Sequence, residues 1–166
     1  APLPMLNRVI YVPEGLASAS IYDASATLSE NSAWYSGKEV SVTAGANGAR
    51  ILRYELVRND RAKDGLATGE RVSSKLLLEA GMELEPGDGY LMRCDRVDLP
   101  PGGIAYTHTH QGGGIRCLLK GGFIVETEGH KTEISPGEPW FEAGPSPVLA
   151  YAPPDRIGHF SRVMIL

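Results

Sequence analysis

Short apolar runs parted by turn residues make up most of the chain, and they alternate with polar positions rather than recurring at a helical interval. Arg8-Val9-Ile10-Tyr11-Val12, closed by Pro13, predicts a short strand lying as an arm on another element. Residues 21–49 are rich in Ser, Ala, Gly and Asn; Trp34 and Tyr35 are the expected anchors of this weakly patterned stretch, Trp34 by packing. Arg50 to Arg58 alternates imperfectly and predicts a strand, and the charged stretch Asn59 to Glu70 predicts a loop. Ser73 to Leu78 predicts a buried strand. Glu85-Pro86-Gly87-Asp88-Gly89 predicts a turn, since Pro presets φ and Gly supplies positive φ. Tyr90 to Leu99 is the next expected strand.

From Pro100 onward the rhythm tightens. Pro100-Pro101-Gly102-Gly103 turns the chain into a strand that carries His108-Thr109-His110, and the apolar run Ile115 to Leu119 follows. Further strands are expected at Phe123 to Thr127, Thr132 to Ile134, Trp140 to Glu142, Val148 to Ala152 and Phe160 to Leu166. Glu128-Gly129-His130-Lys131 reads as a hairpin turn with His130 exposed at its tip, and Ser135-Pro136-Gly137-Glu138 as a second turn. Short strands at this spacing indicate an all-β sandwich or barrel.

Composition narrows the classes. At 166 residues the chain can bury a core of its own, and 20 Gly with 12 Pro suit a fold of many turns. The net charge of −4 comes without a basic block, so no nucleic-acid partner is expected. No apolar run is long enough to span a membrane, and Ala1-Pro2-Leu3-Pro4 carries no basic, signal-like start. Cys94 and Cys117 are too few for a disulfide framework and read as buried or edge thiols in a reducing, cytoplasmic setting.

The chemistry concentrates at the histidines. Residues i and i+2 of a strand share a face, so His108 and His110 would aim the same way, near enough to hold one metal ion. The same spacing also suits a solvated strand face. The run from Gly103 through His108-Thr109-His110 to Leu118-Leu119-Lys120-Gly121 resembles the first conserved motif of the cupin superfamily, and Ile134-Ser135-Pro136-Gly137-Glu138-Pro139-Trp140-Phe141-Glu142-Ala143-Gly144 resembles its second. The resemblance, to RmlC-like single-domain cupins, covers roughly Ser73 to Leu166. It implies a double-stranded β-helix, the jelly-roll barrel, over 71–166, with residues 1–70 as a strand-containing extension packed on it. It also implies a homodimer.

In that family a metal is held by His, His, a Glu four residues later and a further His. His108 and His110 match. The Glu position falls on Gly114, and the later His on Pro147 or Val148, so two ligands are absent. A divalent transition metal (Fe, Zn, Ni or Mn) in an open site is the implied cofactor. Parity places Arg116 inside, where an unpaired guanidinium is costly, so either a substrate anion or a carboxylate such as Glu142 meets it. Glu142, in the apolar surround Trp-Phe-Glu-Ala-Gly, is open to three roles: third ligand, general acid/base or partner of Arg116. Tyr106, of the same parity as the histidines, is the second catalytic candidate. Gln111 and Trp140 are candidate substrate contacts, and His159 reads as a surface-loop residue. A small oxygen-bearing anion is the expected substrate. Oxidative cleavage by a dioxygenase is the first reaction class, with a non-catalytic binding or sensor cupin and a metal-free isomerase or epimerase as alternatives.

Overall fold

A computed structural model describes residues 2–22, 24–59, 69–85 and 87–166. Residues 60–68 of the expected loop and Pro86 of the expected turn lie outside the described residues. The chain divides into two compact units, Ala1–Leu76 and Leu77–Leu166. The described residues form strands and turns, without helix.

The N-terminal unit is one five-stranded antiparallel sheet, far more than an arm. It contains β1 (Pro2–Leu3), β2 (Asn7–Ile21), β3 (Ala24–Leu28), β4 (Ala33–Ser36) and β5 (Val40–Leu56). β2 runs through Pro13 because the register with β5 slips between Tyr11 and Glu14, and a bulge is where a strand tolerates a residue without an N–H. A second slip lies between Gly15 and Ala17, opposite Gly45–Gly48. Gly15 has φ +83°, and a Cβ there would stand 2.5 Å from the Gly48 carbonyl oxygen, so only glycine fits. Leu3, Ile10, Val12, Ala17, Ala19, Leu28 and Val40 form the core of this unit, with Trp34 packed against it. Tyr35 instead stays exposed and donates its hydroxyl to Asn7 Oδ1 at 2.8 Å. Small residues hid these strands: Ala and Ser carry little apolar contrast, yet alternate well enough to pair.

Ser73 to Leu78 is not a strand, and Leu76 and Leu77 are exposed. An apolar run signals burial, but a strand also needs a neighbouring backbone to bond, and no described strand offers one.

The C-terminal unit contains β6 (Met92–Leu99), β7 (Ile104–His108), β8 (Gly114–Gly121), β9 (Phe123–Thr127), β10 (His130–Ile134), β11 (Pro139–Glu142), β12 (Val148–Tyr151) and β13 (Gly158–Ile165). They form two four-stranded antiparallel sheets, ordered β10-β9-β12-β7 and β11-β8-β13-β6. This is the expected jelly roll. Its core gathers Leu118, Phe123, Val125, Ile134, Trp140, Val148, Ala150 and Phe160. The Phe123, Trp140 and Phe160 rings lie 4.8–5.5 Å apart by centroid, tilted against one another as aromatic quadrupoles prefer.

Candidate functional site

Register builds the site. Across the second sheet Trp140, Arg116, Arg162 and Asp95 are direct cross-strand partners, so one row of side chains shares a face. The next row is Glu142, Gly114, Met164 and Arg93. Leu118 and Phe160 of the barrel core lie on the same face, so both rows look into the barrel.

Glu142 ties the first charged group together. Its Oε1 accepts a hydrogen bond from Trp140 Nε1 at 2.8 Å. Its Oε2 lies 2.7 Å from Arg116 Nη2 and 3.1 Å from His110 Nε2. Neither contact lies on the line that a hydrogen bond needs, and the one with Arg116 is an ion pair. Arg116 is only 1 % exposed: Nη1 donates to the Gly114 carbonyl at 2.6 Å, and Nη2 also faces Met164 Sδ at 3.8 Å. Of the three roles open to Glu142, the observed contact is with Arg116. Burial pushes the Arg116 guanidinium down to about 10, against the pull of Glu142, so it remains charged at neutral pH. Burial, followed by Arg116, also pushes the His110 imidazole below its ordinary value, with Glu142 opposing.

His108 and His110 do come together, their rings edge to face with centroids 4.8 Å apart. β7 ends at His108, and His110 is held beyond it by its N–H on the Gly144 carbonyl at 2.8 Å. His108 Nδ1 lies 2.7 Å from the Tyr106 carbonyl oxygen. A carbonyl only accepts, so Nδ1 is the donor, and in the neutral ring this fixes the tautomer with the lone pair on Nε2.

Tyr106 does not share the histidines' face; it is 78 % exposed. The reason is a β-bulge. His108 pairs with Val148 and Ala105 with Ala150, so Tyr106 and Thr107 together oppose Leu149 alone. The extra residue resets the alternation, turning His108 and Ala105 inward and Tyr106 out. Gln111 is likewise exposed, whereas Trp140 is buried in the aromatic core as well as bonded to Glu142. His130 is exposed, and His159, at the start of β13, has its Nδ1 3.3 Å from Asp98 Oδ1.

The side chains do not fit the implied metal. Among the described residues no group of three or more His, Cys, Asp and Glu is arranged to hold an ion. Glu142 is committed to Arg116 and Trp140. Gly114, at the position of the family's Glu, has no room for a carboxylate: a Cβ would meet the Val163 carbonyl oxygen at 2.3 Å. Pro147, on which the later ligand falls, carries no donor side chain, and Val148 beyond it is an apolar core residue directly beside His108.

Sequence reasoning missed the far end of the inner row. Arg162 donates Nε to Asp95 Oδ1 and Nη2 to Asp95 Oδ2, and Arg93 Nη2 lies 3.0 Å from the same Oδ2. The signal was present: Arg162 is the only charge in the apolar run Phe160 to Leu166, and its parity is that of Phe160 and Met164.

Two four-stranded antiparallel sheets in this order make the C-terminal unit a jelly-roll barrel, with the paired histidines above a polar inner row. No protein-family model matches the chain, and no curated protein matches it. Among solved structures, AerE from Microcystis aeruginosa is similar over 100 % of this chain and 82 % of its own, at 11 % identity and TM-score 0.71, a likeness of fold. A cupin-like protein from Thermotoga maritima is 19 % identical over 44 % of this chain and 56 % of its own, TM-score 0.42. A cupin protein from Bacteroides fragilis is 18 % identical over 52 % and 82 %, TM-score 0.40.

Proposed function

We propose that this cupin acts on a small oxygen-bearing anion by proton transfer at carbon, an isomerase-type reaction in which no metal held by protein ligands takes part. One observation carries the reading. His108 Nδ1 is engaged by the Tyr106 carbonyl, so Nε2 is the half-buried ring nitrogen left to take up or release a proton, beside the imidazole of His110. That is the arrangement of a general base. The commitment of Glu142 to Arg116 supports it, because the third side chain of a metal site is absent.

His108 Nε2 accepts the proton from a carbon next to the substrate carbonyl, and the C–H electron pair moves into the enolate. The imidazolium then returns the proton to the same carbon. No oxidant is consumed. The dioxygenase reading would need ligands that neither Gly114 nor Val148 supplies. A homodimer belongs to the same proposal, with light scattering as its check.

The test is proton exchange in D2O. A panel of small 2-oxo acids, with a strong chelator present, is followed by proton NMR. Exchange at the carbon beside the carbonyl is expected, and His108→Gln should slow it by about 10²–10⁴-fold. Exchange abolished by the chelator and restored by one added metal would overturn the reading, as would exchange indifferent to His108.

A further inference from the structure

Charge on the inner face is unevenly matched. Three guanidinium groups (Arg93, Arg116 and Arg162) face two carboxylates (Glu142 and Asp95), so the arginines outnumber the carboxylates by one. The place of the surplus can be identified. Glu142 is matched to Arg116, whereas Asp95 is shared by Arg93 and Arg162. The surplus therefore lies at the β6–β13 end of the row.

The two ends also differ in access. Arg116 is sealed, but the Arg162 side chain is 18 % exposed and that of Arg93 51 %. Asp95 takes Nε and Nη2 of Arg162, and Nη1 has no hydrogen-bond or ion-pair partner among the described residues. A guanidinium gripped along one edge by a carboxylate is held rigid with its other donors directed, which is a preorganised anion site. It lies on the inner face one strand from Arg116 and two from Glu142, roughly 10 Å across the sheet from the carboxylate that touches His110.

We propose that Arg162, oriented by Asp95, binds an ionised carboxylate of the substrate, making it and not Arg116 the residue that selects acids. The proposal rests on the proton-transfer reading above and deepens it: the substrate class is a small acid whose carboxylate lies toward β13 and whose acidic C–H lies toward His108. Arg93 neutralises the remaining charge of Asp95, so Arg162 keeps its positive field for the ligand.

The experiment compares pyruvate with methyl pyruvate, which differ in the carboxylate charge. Both are titrated into wild type, Arg162→Met and Arg162→Lys, with NMR shifts as readout. Wild type is expected to bind pyruvate saturably and methyl pyruvate more weakly. Arg162→Met should weaken pyruvate by about 10- to 100-fold and leave methyl pyruvate unchanged, with Arg162→Lys between. A variant that merely misfolds would lose both ligands alike. No saturable pyruvate binding by wild type, or equal losses for both ligands in an Arg162 variant whose NMR spectrum stays that of the folded protein, overturns the proposal. Binding that depends on Arg162 without any proton exchange keeps the carboxylate site and removes the proton-transfer reading. Exchange that ignores Arg162 does the reverse.

Discussion

A histidine whose pKa is lowered by folding makes the folded state reluctant to take up a proton. His110 is such a group, through burial first and Arg116 second. Below its ordinary value of about 6.5 the unfolded chain binds more protons than the folded one, so stability falls as pH drops through that value and below. Urea unfolding between pH 7.5 and 5 is expected to show this loss, and His110→Asn should flatten it; an unchanged slope would detach His110 from the effect. The same cluster sets a mutational expectation. Glu142→Gln leaves Arg116 buried without its counter-charge and should cost roughly 3–5 kcal/mol in denaturant unfolding. Adding Arg116→Met to it should recover a large part, because the uncompensated charge is then gone. No recovery would mean that Glu142 acts mainly through Trp140.

Strand-scale geometry decides which side chains reach the barrel. The bulge in β7 separates Tyr106 from His108, although the two are i and i+2. The sequence held no sign of it, because a bulge is a property of two paired strands and β12 is some forty residues away. The close approach of β8 and β13 is another such property. Gly114→Glu, the substitution that would restore one of the two absent family ligands on paper, forces its Cβ against the Val163 carbonyl. It should destabilise by about 1–3 kcal/mol or more and gain no metal, read by thermal unfolding and zinc titration. Tight zinc binding with undiminished stability would show that β13 can yield there.

For the molecule as a whole, a ligand that binds only the folded state raises its stability by mass action, about 2.7 kcal/mol at a hundred times its Kd. Excess Fe, Zn, Ni or Mn is therefore expected to leave the Tm unchanged. A rise of several degrees with one of them would restore a metal to the site. No helix among the described residues is long and apolar enough to cross a membrane.

The C-terminal unit was legible because its signals are local. Turn glycines and prolines bound short apolar runs, and His108-Thr109-His110 lies between two of them. Parity alone placed Arg116 inside. Register, by contrast, belongs to strand pairs distant in sequence. Only the folded sheets could turn Tyr106 outward, match Glu142 to Arg116, and set Arg162 beside Arg116 with Asp95 holding it. The N-terminal sheet escaped for a related reason: with Ala and Ser as its side chains, pairing rather than apolar contrast is what makes its strands.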